Sequence, residues 1–146
     1  MNPDQLTVKM KEAFSHSESV TRLHGHQEIT SLHLLLSMLE QEDGLSPQIL
    51  ERSGVNSDQV KQAIEQALKK QPLVEGGEVQ MGHELKKTID QAFVETKGLG
   101  DEYTSTEHFL LAMAGLKSCK AFDVFKSLGL AKSHLKESIQ NIRGSH

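Results

Sequence analysis

Thr30-Ser31-Leu32-His33-Leu34-Leu35-Leu36-Ser37-Met38-Leu39 is the most apolar run in the chain, and it occurs twice. Adding 75 to each number gives Ser105-Thr106-Glu107-His108-Phe109-Leu110-Leu111-Ala112-Met113-Ala114. Both copies hold a hydroxyl residue, a His three positions on, then Leu-Leu and Met. Each predicts a short buried helix with Thr30 or Ser105 as N-cap, because a hydroxyl oxygen there accepts a free N–H of the first turn. A helix that is apolar nearly all round must be covered on most sides. The chain is therefore expected to hold two bundles, each built around one copy.

Working outward, the same order of elements repeats at the same offset. Asn2-Pro3-Asp4 reads as an N-cap, a proline at the first helical position and an acidic first turn. The helix it opens carries Leu6, Met10, Ala13, Phe14, Val20 and Leu23 at helical spacing and stops at Gly25. Ser46-Pro47 predicts a third helix, with Ile49 and Leu50 inside and Gly54 just past its end. Asn56-Ser57-Asp58-Gln59 resembles a capping box and opens a fourth helix, with Val60, Ala63, Ile64, Ala67 and Leu68 on one face. In the second half Leu85, Ile89, Ala92 and Phe93 match the first helix, and Gly100 matches Gly25. Val124, Phe125 and Gly129 match Ile49, Leu50 and Gly54; Leu135, Lys136 and Ile139 match Val60, Lys61 and Ile64. No insertion or deletion is needed from Met10/Leu85 to Ala67/Ile142.

The fold class is all-α: a pseudo-twofold tandem repeat of two four-helix units, about eight helices in one domain. Repeat one takes residues 3–70 and repeat two residues 83–142. Between them Gln71-Pro72-Leu73-Val74-Glu75-Gly76-Gly77-Glu78-Val79-Gln80-Met81-Gly82 cannot be a continuous helix, so 71–82 is a connector, with Val74 and Val79 expected to pin it to the surface.

The composition narrows the function. Sixteen Lys+Arg against twenty Asp+Glu give a net charge of −4 over 146 residues. With no basic block, no Trp and one Tyr, a nucleic-acid surface is not expected. No apolar run approaches the ~20 residues of a membrane span, so no membrane role is expected. A single cysteine, Cys119, permits no internal disulfide and suits a reducing, cytoplasmic setting. Lys117 and Lys120 beside it would lower its pKa modestly, but without a His or Asn partner set it reads as a small residue at a helix start. There is no Gly-x-x-x-x-Gly-Lys-Ser/Thr, no zincin motif after His83-Glu84 and no Gly-x-Ser-x-Gly elbow. Gly98-Leu99-Gly100-Asp101-Glu102-Tyr103 lacks the third glycine of a dinucleotide fingerprint and follows a helix. No catalytic residue is assigned.

Two groups of polar residues remain. His24, His26 and His33 fall at spacings of two and seven, which define no ligand face. They read as solvated loop side chains, and no metal site is assigned. His33 and His108 are a repeat pair placed to hydrogen-bond the turn before their helices. Asp101, Glu102 and Glu107 cluster around the second copy's N-cap, either as carboxylates favoured by the helix dipole or as an acidic rim beside a binding groove.

These residues together resemble the N-terminal domain of the Clp-family ATP-dependent unfoldases over essentially the whole chain. The likeness is carried by Ile29-Thr30-Ser31-Leu32-His33-Leu34-Leu35, Gly44-Leu45-Ser46-Pro47 and Gly54-Val55-Asn56. Leu73-Val74-Glu75-Gly76-Gly77-Glu78-Val79-Gln80 is similar to the connector of the ClpB, disaggregase, type more than to ClpA or ClpC. Met81-Gly82 departs from the Pro-Ser common there. Ile142-Arg143-Gly144-Ser145 resembles the exit of that domain, so 143–146 would begin a linker to an absent ATPase ring.

The resemblance implies a substrate-binding module rather than an enzyme. It would catch unfolded or aggregated polypeptide weakly in an apolar groove with an acidic rim and pass it to the ring. ATP and Mg would belong to the absent ATPase domains, with no cofactor here. It also implies a hexamer through those domains, a monomeric isolated domain and cooperation with an Hsp70-type chaperone system. The residues matching the family's substrate-binding positions are Thr7, Ile89, Asp101, Glu107 and His108, the last often Leu in the family. The alternative is an adaptor-docking domain of the ClpA or ClpC kind, which serves a protease.

Overall fold

The computed structural model describes residues 2–144. Among the described residues eight α-helices run in chain order: α1 (Val8–Leu23), α2 (Ser31–Leu39), α3 (Ser46–Arg52), α4 (Ser57–Leu68), α5 (His83–Gly98), α6 (Thr106–Gly115), α7 (Lys120–Ser127) and α8 (Lys132–Gly144). Shifting α1–α4 by 75 lands on α5–α8 to within a residue, so the tandem all-α repeat is observed as expected.

The helix ends follow from local chemistry. The side chains of Thr30 and His33, and those of Ser105 and His108, form reciprocal capping boxes, with histidine filling the role more often taken by Glu or Gln. Asn56 and Gln59 do the same for α4. Gly25 and Gly100 sit at φ +74° and +72°, the left-handed region open to glycine. Each closes its helix with two bonds. His26 and Asp101 donate N–H to the Thr21 and Thr96 carbonyls, and the glycines donate to Arg22 and Lys97, all at 3.0 Å.

Four expectations are corrected at this level. Asn2 caps a separate 3-10 turn, Pro3–Gln5, and α1 starts only after Thr7, whose Oγ1 accepts from Met10 N–H. Leu6 is therefore buried outside the helix, and Leu23 is 84% exposed. Ser46 does not cap α3. Leu45 precedes it with helical angles, and Ser46 is buried with its Oγ unpartnered among the described residues. Arg143 and Gly144 continue α8, so repeat two stays helical past residue 142; the Ser145 and His146 of the expected linker lie outside the described residues. Finally, there are not two bundles. Side chains from both halves form a single buried cluster; every residue of α2, and all of α6 except Glu107 and Gly115, is buried.

Short extended segments stitch the halves together. β1 (Glu28–Ile29) pairs in parallel with β2 (Gln80–Met81), Ile29 opposite Met81. Leu6 makes the equivalent parallel bridge to Thr104. These are one interaction seen twice, since 6 and 81, and 29 and 104, are each 75 apart. Thr7 N–H donates to Thr104 O at 3.1 Å just as Gly82 N–H donates to Ile29 O at 2.9 Å. The connector is held by this backbone pairing and by Val79 against the core, whereas Val74 remains 41% exposed.

Candidate functional site

The closing turn of α5 and the opening turn of α6 fix the expected site. Gly100 aims Asp101 back toward the helix pair, and the capping box turns the His108 ring inward. His108 Nδ1 accepts from Ser105 N–H at 2.8 Å, so Nε2 carries the proton it donates to Asp101 Oδ2 at 2.7 Å. Arg143, from the last turn of α8, completes the cluster. Its Nη2 donates to Asp101 Oδ2 at 2.8 Å and its Nε to Glu107 Oε2 at 2.8 Å. The Arg143 guanidinium, and then the His108 donor, hold the Asp101 carboxyl below its ordinary range, although burial works the other way. Bonding to Asp101 and Glu107 raises the Arg143 guanidinium in return.

Thr7 joins this region through its N–H bond to Thr104, and Thr106 Oγ1 reaches Met10 Sδ at 3.6 Å. Val8 and Tyr103, next in sequence to Thr7 and Thr104, are 69% and 56% exposed. Thr7, Asp101, Glu107 and His108 thus gather around the start of α6. Ile89 and His108 are only 2% and 1% exposed, so a ligand reaches neither without a rearrangement. Glu102 is exposed and stands apart from the Arg143 bonds. The larger clefts lie elsewhere; one of about 650 Å³ between α4 and α7 is lined by Leu32, Ala63, Ala67, Pro72 and Val124. Arg143 falls in the expected linker, and Val8 and Tyr103 carry no expected role. Arg143 could have been found from the offset alone, because it matches Leu68, the last residue of α4.

The other two polar expectations change. His26 and His33 are buried, not solvated: His33 Nε2 lies 2.9 Å from His26 Nδ1, and the His24 ring stacks on His26 with centroids 5.9 Å apart. Cys119 is buried beside Thr88, and burial raises its thiol where neighbouring lysines were expected to lower it. A further inter-repeat contact has no signal in the linear sequence. Glu84 of α5 accepts from Ser31 N–H at 2.8 Å, from the Ser31 hydroxyl, and from Lys120 N–H at 2.6 Å. One carboxylate thereby serves the starts of α2 and α7, where helix N-termini favour negative charge. No helix among the described residues is long and apolar enough to cross a membrane.

A family model described as the Clp repeat (R) N-terminal domain matches residues 5–128. The chain belongs to this family. Within it, "Chaperone protein ClpB 2" of Nostoc sp. is 38% identical over 147 residues, covering 99% of this chain and 16% of that protein. The chain therefore spans about a sixth of the length of this curated relative. Among solved structures, the Hsp104 N-terminal domain from Candida albicans superposes with a TM-score of 0.80 at 18% identity, over 97% of this chain and 93% of that one. A ClpV N-domain in complex with a VipB peptide superposes at 0.77 and 20% identity, over 93% and 85%. Both structures share the Clp N-domain fold, and the matched family is an N-terminal domain rather than an ATPase module.

Proposed function

We propose that this domain catches unfolded polypeptide for a disaggregase of the ClpB and Hsp104 kind, using the surface around the start of α6. The observation that carries this reading is the exposure of Val8 and Tyr103 beside the Thr7–Thr104 backbone bond that joins the repeats, with the carboxylates of Asp101 and Glu107 three residues to either side of Thr104 in the chain. Unfolded chains expose apolar and basic side chains together; folded ones bury most of the former. Burying one such side chain contributes roughly 1.5–3 kcal/mol. After association and ordering costs, a few of them leave a weak site, on the order of 10 μM to 1 mM. Weak capture suits a client that must be handed on, and several tethered copies would restore avidity. The peptide held by a ClpV N-domain is consistent with a peptide-binding role. Thr7, Asp101 and Glu107 are the contact residues in this reading, with Ile89 and His108 as their support.

The test is an NMR titration of the labelled domain with a reduced, unfolded polypeptide rich in basic and aromatic residues. Shifts should concentrate at Thr7, Val8, Tyr103 and Glu107, and Glu107→Gln should weaken binding without lowering the melting temperature. Scattered shifts, or none, overturn the proposal. Tight binding to one folded partner with indifference to unfolded chains would favour adaptor docking.

A further inference from the structure

The offset of 75 sets His26 opposite Asp101, His33 opposite His108 and Leu68 opposite Arg143. Both halves use one design. The histidine at the third helical position accepts the cap residue's N–H on Nδ1, from Thr30 at 2.9 Å and from Ser105 at 2.8 Å. Its Nε2 then reaches the residue seven positions back. In repeat two that acceptor is a carboxylate; in repeat one it is a second imidazole. A carboxylate keeps accepting until it is itself protonated at low pH, whereas an imidazole stops accepting once a proton takes its lone pair.

We infer that repeat one carries a proton-operated latch. A proton on His26 Nδ1 breaks the His33–His26 hydrogen bond and loosens the loop of residues 24–30 that ties repeat one to the connector. The loop is the seam itself. Its carbonyls at Gly25, Gln27 and Ile29 accept from the backbone N–H groups of Val74, Gln80 and Gly82 at 2.8–2.9 Å, and Glu28 O accepts from Gln71 Nε2 at 2.9 Å. The His26 ring also meets the Leu68 carbonyl of α4.

The charges around the pair favour the closed form at neutral pH. His24, at the end of α1, donates Nδ1–H to Val20 O at 2.8 Å and holds Glu65 of α4 at 2.9 Å through Nε2, which describes a charged ring. Burial works against that charge, but the Val20 carbonyl, Glu65 and then Glu40 raise His24 overall. His24 and Lys120 of α7 act as cations on both neighbours, and Glu65 is the anion that opposes them at His26. Glu84 of α5 meets the same helix start at Ser31. Burial first, then His24 and Lys120, push His26 down; burial, then His26, His24 and Lys120, push His33 down to about 3.

Amide hydrogen exchange at pH 7.5 and 5.5, corrected for intrinsic rates, tests the latch. Protection of the Thr30, Gln80 and Gly82 amides should fall ~tenfold relative to Ser105, whose cap rests on a carboxylate. His26→Asp, which copies repeat two, should abolish the difference. Equal retention at Thr30 and Ser105, or an acid response in His26→Asp like the parent's, overturns the inference. Should that variant fail to fold, imidazole ¹⁵N spectra of the parent protein decide it. Protonation of His26 Nδ1 must coincide with loss of Thr30 protection, and protonation without that loss sinks the latch.

Discussion

At the scale of single residues, the two halves differ most where their capping histidines point. Asp101 is held below its ordinary range by Arg143 and His108. Its stabilising contribution is therefore present above the unfolded value of 3.8 and is lost as pH falls through the folded one. Arg143→Gln should move the Asp101 titration up toward that ordinary value in an NMR pH series. It should also free both carboxylates, so binding of a basic unfolded peptide should strengthen; weaker binding would make Arg143 part of the contact surface instead. The buried imidazoles of His26 and His33 make stability fall with acid, because both are shifted down in the folded protein. Unfolded, they take protons near 6.5, while folded His33 does not until about 3, so the unfolded chain binds more protons in between. The His33 contribution is complete above about pH 6.5 and declines as pH falls toward 3, and His26, also shifted down, has the same sign. His24, shifted up, has the reverse sign: its contribution is complete below 6.5 and fades as pH rises through its folded value. His33→Gln keeps the capping box and removes one buried imidazole, so urea melts at pH 7 and pH 5 should differ less in the variant than in the parent.

At the scale of elements, local rules account for most of the helices and miss where packing overrides them. Thr30, Ser105 and Asn56 were legible as caps because each needs only its own side chain and the next turn. Thr30→Ala should cost about 1 kcal/mol in a denaturant melt, the ordinary value of a lost N-cap. Leu110 is fully buried in α6, and Leu110→Ala should cost ~2–5 kcal/mol; a near-neutral result would mean the core closes over the gap. The start of α1 departs from its local signal. Asn2-Pro3 is a sound helix-opening pattern, yet Leu6 is drawn out to bridge Thr104, and the helix has to restart at Thr7. Likewise Ser46 looks like a cap in sequence, but its side chain is buried and Leu45 has already turned helical. At Leu6 a contact from a distant part of the chain outweighs a propensity of about 1 kcal/mol; at Ser46 burial of the side chain takes it away from the cap position.

At the scale of the whole molecule, the repeats share one core and exchange their extended segments, so neither should stand alone. Calorimetric and van't Hoff enthalpies of unfolding should agree for the intact domain, and residues 1–70 made separately should show no cooperative transition. Two independent transitions would restore the picture of two bundles. By itself the sequence determined the all-α class, the fourfold helix order in each half, the offset of 75, most caps and membership of the Clp N-domain family. Those features depend on hydrophobic periodicity and on side chains within one or two turns, which a linear reading contains. Only the tertiary structure decided that the halves merge, that Arg143 closes over Asp101 and Glu107, that Ile89 and His108 lie under the surface, and that His26 and His33 form a buried pair. Each joins residues on separate elements, and spacing alone cannot say which of two helix faces, or which ring nitrogen, a distant neighbour will cover.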